Sequence, residues 1–467
     1  MAMQREFGQE QPYLAAGPFK IRIPFIHYKF EIADYVQGLL MCAVCLGALP
    51  MLQEYLGMPF NVALAIVILN GILYMSHTLL GDPVVPGWVT PAIPLLILYV
   101  SQYPLGPERV QALIAFEITL GAFAFILGIT GLGKKIVTLI PNAMQAGIIL
   151  GAGLAAVNVV FSKGGKIDNF PFTIAICIGI GFYLLFSNHF KSIRNKNKLF
   201  QTISNLGILP VIVLAIFVGP IFGETAIPAV KWGFSQPDFA ALWSEWTFWA
   251  IGFPPLKMFI SCIPMVFSAY VILFGEMIQA TALLEDAAPS RPDEKVDYNA
   301  NRTHIIFGLR NMLMSVIGPD ITMCGPLWAA MQVVVCDRYK HGRKAMDSIY
   351  GGAGSFRLGT LTGYFLLPIV TLVTPILQIA LATTMLVQGY VSVRIGVLKV
   401  RTLNDLGIAG VMAAVIMARG AAWGLAVGLV LCLLIQLGNK KELDTMVFEK
   451  NENAAAAPEI AAEEVTA

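Results

Sequence analysis

The 467-residue chain is 57% hydrophobic and only 13% charged, with a mean hydropathy of +0.71. A soluble domain carries about 25% charged residues, so this composition excludes an ordinary soluble globular protein. The formal net charge of +2 decides little, because in a membrane protein the placement of Lys and Arg matters more than their sum.

In chain order, residues 1–33 are polar and mixed, lack the apolar stretch of a cleavable signal peptide, and read as a cytoplasmic N-terminal segment. Apolar runs of about 20 residues, the length that crosses a bilayer, then recur as far as Gly438. The first half, 34–222, holds seven predicted spans near 34–52, 60–80, 83–102, 109–130, 139–161, 169–187 and 204–222. Residues 223–256 form an extracytoplasmic linker whose Trp232, Trp243, Trp246 and Trp249 suit a membrane–water interface. The second half, 257–438, holds spans near 257–284, 303–317, 319–335, 355–373, 375–396, 404–419 and 421–438. Residues 439–467, rich in Ala and Glu, read as a disordered cytoplasmic tail. The seven cysteines lie in apolar segments and read as small buried hydrophobes.

Charge supports the count of fourteen. With a cytoplasmic N-terminus, the inward connections receive Lys134/Lys135, then Lys191 to Lys198, Arg338 to Lys344, Arg394 to Arg401 and Lys440/Lys441. The outward ones hold mainly Arg109, Lys163, Lys166, Lys231 and Arg419, the asymmetry that the positive-inside rule requires. Seven spans followed by seven place the halves in opposite orientations, an inverted repeat. Pro141 and Gln145 opening the fifth span match Pro375 and Gln378 opening the twelfth.

Two spans cannot be continuous helices. The third opens Gly81-Asp82-Pro83-Val84-Val85-Pro86-Gly87-Trp88-Val89-Thr90-Pro91, and the tenth Gly318-Pro319-Asp320-Ile321-Thr322-Met323-Cys324-Gly325-Pro326-Leu327-Trp328. Proline removes a backbone donor and disfavours helix at the residue before it. Inside a bilayer such a break needs a shield of protein or a water-filled cavity, and a matched pair of breaks marks a transporter's binding site. Each break is expected to restart as a half-helix, Pro91 or Pro94 opening one and Pro326 the other. Two N-termini meeting near the midplane present unpaired N–H groups and partial positive charge, a site for an anion or an acceptor-rich ring. Trp88, Thr90, Thr322, Gly325 and Pro326 are the candidate lining, with Gln37 reaching in from the first span. The competing reading is a pair of Pro-kinked structural helices.

Among ionisable residues, Glu276 follows a long apolar run, which makes it a candidate for substrate contact and for coupling to H⁺ or Na⁺, with Gln279 three residues on along the same face. The alternative is an acid near the cytoplasmic end, facing water beside Glu285 and Asp286. Glu117 is a second coupling candidate, equally readable as a structural hydrogen-bonding group. Arg310-Asn311 is expected to form a structural ion pair with Asp320 or another acid. His77 reads as a satisfied helix residue, and Asp82 and Asp320 as turn or capping groups. No nucleotide-binding, metalloprotease or nucleophile-elbow motif stands in a supporting context, so no enzymatic activity is expected.

This layout resembles the uracil-permease fold shared by nucleobase–ascorbate transporters, sulfate permeases and bicarbonate/anion exchangers. The Phe274-Gly275-Glu276-Met277-Ile278 run resembles the acid-centred motif of the nucleobase family's eighth span. The resemblance implies that Glu276 contacts substrate or coupling ion, and that Gln37 is the polar residue of the first span. Gly325-Pro326-Leu327-Trp328 departs from the acidic or amide residue followed by Asn that the nucleobase family usually has there. The basic residue that sulfate permeases carry in the third span is missing too, and only residues 439–467 follow the last span, so no regulatory domain is expected. The expectation is an all-α polytopic membrane protein in the inner or plasma membrane, a secondary active transporter of a sulfate-, bicarbonate- or carboxylate-like anion. A proton-coupled uracil or xanthine permease is the alternative, followed by a passive anion channel and an intramembrane enzyme. The expected partners are a small-molecule solute, the lipid bilayer and, as an open alternative, a second copy in a homodimer. No nucleic-acid partner, metal or cofactor is expected beyond a coupling ion.

Overall fold

A computed structural model describes residues 3–194 and 196–436; the tail predicted over 439–467 lies outside the described residues. The protein is almost entirely helical. The principal helices are α1 Ile32–Cys45, α2 Ala48–Leu56, α3 Phe60–Leu80, α4 Ile93–Val100, α5 Pro107–Thr130, α6 Asn142–Phe161, α7 Pro171–Phe186 and α8 Leu209–Ile221. The second half supplies α9 Ile263–Ala287, α10 Ala300–Ile317, α11 Ala329–Lys340, α12 Ile349–Phe365, α13 Leu377–Lys399, α14 Leu403–Arg419 and α15 Ala421–Gln436.

Among the described residues, six helices are long and apolar enough to cross a membrane, or seven if the bent pair Pro171–Phe186 and Asn188–Arg194 counts as one span. Thr90–Val100, Leu209–Ile221 and Ala421–Ile435 are shorter apolar helices. α11 and α12 are too short for that test and α10 too polar; Arg302, His304, Arg310, Asn311, Gln332 and Arg357 on the three helices are all buried in protein. Conversely Phe217 and Ile221 on α8 and Leu434 on α15 are exposed, apolar surface that suits lipid rather than water.

The helices pack in two groups. In one, α5 runs along α10 and α1 along α12, α3 bridges α10 and α12, and α9 lies against α5 and α11. In the other, α6 is flanked by α13, α14 and α15, while α7 lies against α8 and α13. Trp232, Trp243 and Trp249 in the 223–256 connection are exposed, whereas Trp246, expected beside them at an interface, is half-buried against the core.

The N-terminal segment is structured, which its polar composition does not announce. Leu14–Ala16 and Phe19–Ile21 form a two-stranded antiparallel hairpin. Arg5 reaches Asp293 at 2.5 Å, and Lys20 lies 2.6 Å from Glu10 and 2.7 Å from Asp297. The buried Arg22 guanidinium sits 3.9 Å from the centre of the Tyr350 ring. The segment is thereby pinned to the α9–α10 connection and the start of α12.

Candidate functional site

The site is built on two interruptions. Helix α3 stops at Leu80, where Gly81 takes the left-handed φ of 108° that terminates a helix. The chain then runs extended to Val89 before a 3₁₀ turn, Thr90–Ala92, leads into α4. Helix α10 stops at Ile317, and the chain stays non-helical until Ala329. Pro91 and Pro94 occupy opening positions of the first restart. Pro326 does not open the second: it lies within the extended stretch, three residues before α11.

The two extended stretches pair with each other. Gly87 N–H donates to Gly325 O at 3.3 Å and Gly325 N–H to Gly87 O at 2.7 Å, an antiparallel bridge. Val89 N–H donates to Thr322 O at 3.3 Å, and Trp328 N–H to Val85 O at 2.6 Å. This exchange satisfies backbone groups that lipid could not. It also brings the starts of α4 and α11 to one place.

Side chains hold each break open. In the first, His77 Nδ1 lies 3.1 Å from Asp82 Oδ2, while Thr303 Oγ1 donates to Asp82 Oδ1 at 3.0 Å. In the second, Asp320 accepts from Thr322 N–H at 2.9 Å, from Thr322 Oγ1 at 2.6 Å and from Asn70 Nδ2. Glu117 Oε1 accepts the Asp320 N–H at 3.0 Å. Asn311 clamps Cys324 from both sides, accepting its N–H at 2.9 Å and donating to its carbonyl at 3.0 Å. The turn roles expected of Asp82 and Asp320 are therefore the observed contacts. The expected Arg310–Asp320 ion pair is a correction: no such pair lies within 4.0 Å, and Arg310 instead donates to Asn311 Oδ1 at 2.9 Å and faces Tyr74, 4.9 Å from its ring centre.

Between the two helix groups, where the half-helices start, lies a cavity of about 470 Å³. Trp88, Thr90 and Pro91 from the first break and Leu327, Trp328 and Ala329 from the second line it. Glu276 and Gln279 enter from α9 as an i, i+3 pair on one face. Glu276 Oε2 is shielded from solvent without a hydrogen-bond partner. It stands against Gly325, where an added Cβ would lie 2.5 Å from it. Of the remaining candidates, Gln37 and Pro326 lie outside the cavity wall, α1 presenting Met41, Val44 and Cys45 one and two turns further on. Thr322 is buried in the Asp320–Asn70 network and Glu117 behind it, both away from the cavity.

Two features of the wall escaped the sequence reading. Helix α13 contributes Thr384, Gln388 and Ser392, a polar stripe at four-residue spacing, with Gln388 Nε2 donating to Ser392 Oγ at 3.1 Å. That spacing is visible in the sequence. The other is Arg357. The span expected over 355–373 puts it at an entrance, in a Gly-rich run, whereas α12 begins at Ile349 and carries Arg357 into its third turn. Its Nε and both Nη atoms are buried and find no oxygen acceptor among the described residues. The guanidinium is caged by rings, 4.2 Å from the centre of Tyr74 and 5.0 Å from that of Trp328. Glu276, Arg357 and Lys399 are the charged residues of the wall, so its cations outnumber its acids.

No family model and no curated protein matches the chain. Solved structures do. The overall structure of SLC26A9 aligns with a TM-score of 0.54 at 15% identity over 87% of this chain; the chain spans 65% of the length of that one. Murine Solute Carrier 26 family member A9, an anion transporter captured in the inward-facing state, aligns with a TM-score of 0.50 at 14% identity, covering 87% of this chain and 68% of that one. The transmembrane domain of a cyanobacterium bicarbonate transporter, BicA, aligns at 16% identity and a TM-score of 0.48, over 87% and 97% of the two chains. At such identities the likeness is one of fold. The chain is a polytopic all-α membrane protein, and its resemblance to the uracil-permease-fold superfamily holds at that level.

Proposed function

We propose that the protein is a secondary active transporter of a small anion, built as fourteen spans in two inverted seven-span repeats, 34–222 and 257–438. The observation that carries this reading is Arg357, a buried guanidinium with no carboxylate partner among the described residues, at the wall where two half-helices begin. Burying an unpaired charge costs several kcal/mol, and an anion in the cavity would offset that cost. The two half-helix starts add the partial positive charge of a helix N-terminus. Arg357 would hold the anion, Lys399 would draw it in, and Thr90 with the α13 stripe would fix its orientation. Murine Solute Carrier 26 family member A9, whose fold this chain shares, is described as an anion transporter.

Coupling would rest on Glu276, whose ionised carboxylate competes with the anion for the same positive groups. Taking up H⁺, or pairing with Na⁺, removes that competition, so ion and anion bind cooperatively; linkage makes the effect reciprocal. Alternating access follows if the group formed by α1–α5 and α9–α12 shifts against the group formed by α6–α8 and α13–α15. Under the positive-inside assignment, the cavity end bearing Lys399 faces the cytoplasm. The test is uptake into proteoliposomes under an imposed H⁺ or Na⁺ gradient, with labelled bicarbonate, sulfate, a small carboxylate and uracil. Gradient-driven accumulation of one of the anions supports the reading. Accumulation of uracil alone moves it to the nucleobase branch, and single-channel currents without any driving ion replace the carrier by a channel.

A further inference from the structure

A second cavity of about 480 Å³ is lined by Glu54 and Tyr55 in the last turn of α2, Ile97 on α4, Asn158 on α6, Lys166 and Gln378. It touches the same helices as the first cavity at a different height. On α6 the first cavity meets Ile149 and the second Asn158; on α13 the first extends to Lys399 and the second meets Gln378. Gln378 and Lys399 stand near opposite ends of α13, about 30 Å apart at ~1.5 Å per residue, the thickness of a bilayer's hydrocarbon core. The first break behaves alike, Thr90 facing one cavity and Ile97 the other.

At this second cavity one ion pair ties the two helix groups together. Lys166 Nζ, buried on the short Lys166–Asn169 helix after α6, pairs with Glu54 Oε2 of α2. Gln378 Nε2 of α13 donates to the same oxygen at 3.5 Å. Glu54 belongs to the group of α1–α5 and α9–α12, whereas Lys166 and Gln378 belong to the other. Shifting one group against the other pulls these partners apart.

Resting on the proposed alternating access, we infer that the second cavity is the opposite mouth of the same pathway and that the Glu54–Lys166 pair is its latch. It holds that mouth shut while the Lys399 mouth is open, and it breaks once in each cycle. Both residues are gating residues: they touch each other, not the substrate.

The test places a cysteine at Ile97, which is buried in the second cavity, in the full-length protein in nanodiscs, and follows its labelling by a polar maleimide. The native cysteines are all buried, and protein without Ile97→Cys gives their background. Glu54→Gln and Lys166→Gln are each expected to speed labelling about fivefold, and the swap Glu54→Lys with Lys166→Glu to restore the slow rate. Labelling unchanged in both single variants, or a swap as fast as either, overturns the latch. Anion binding measured on the same preparations separates the two ideas: intact binding with unresponsive labelling removes the latch alone, and responsive labelling without any anion binding removes the substrate reading.

Discussion

At the scale of single residues, the site divides into side chains that face the cavity and side chains that shape its backbone. Thr90 and Thr322 look equivalent in the sequence, each a threonine in a Pro-rich break, but only Thr90 lines the cavity, while Thr322 serves Asp320 and Asn70. Thr90→Val is therefore expected to weaken anion affinity several-fold and leave the unfolding midpoint unchanged. Thr322→Val, which strips bonds from a buried carboxylate, is expected to cost about 1–3 kcal/mol of stability; binding isotherms beside thermal unfolding would separate them. Glu276→Gln is expected to abolish gradient-driven uptake while anion exchange survives, and concentrative uptake at the wild-type rate by that variant would remove Glu276 from coupling. Its depth was legible because an acid in an apolar run is costly unless used. Arg357 was not, because a predicted span boundary six residues late put it at an end, where an arginine needs no explanation.

The elements that matter most are the paired breaks. Their existence was readable, since Pro and Gly forbid a continuous helix whatever surrounds them. Their partnership across the chain was an expectation from repeat symmetry; the hydrogen bonds that realise it depend on two glycines. An added Cβ at Gly87 would lie 2.8 Å from Trp328 Cβ, and one at Gly325 would press on Glu276. Gly87→Ala is expected to cost about 1–3 kcal/mol through overpacking, and Gly325→Ala less, because the carboxylate end of Glu276 can swing aside. The Gly325 variant should disturb coupling as well, since it displaces the Glu276 carboxylate; an unaltered ion dependence of uptake would contradict that contact. The number of spans is hard to read from individual helices, because α10, α11 and α12 carry buried arginines, histidine and amides that lipid-facing helices avoid.

Over the whole molecule, composition was enough for the class, and charge placement motivates the orientation, but the docked N-terminal segment lay beyond both. Its stability comes from ion pairs between residues far apart in the chain, which periodicity cannot register. Hydrogen bonds from Arg291, then from Arg5, hold the Asp293 carboxyl down to about 2, below the ordinary aspartate value. A group whose folded value is depressed stabilises above its unfolded value and loses that contribution as pH falls through the folded one. The protein is thus expected to lose stability between about pH 4 and pH 2, with a smaller loss in Asp293→Asn; thermal unfolding across that range checks it. The account as a whole turns on an anion held between two half-helix starts and Arg357. Its most direct measurement is the stabilisation of purified protein by bicarbonate, sulfate and a small carboxylate, read as unfolding midpoint against concentration for wild type and Arg357→Gln. A saturable rise for at least one anion in wild type, with the half-saturating concentration at least tenfold higher in the variant, is the predicted result; equal responses in both proteins, or a rise with uracil alone, would contradict it.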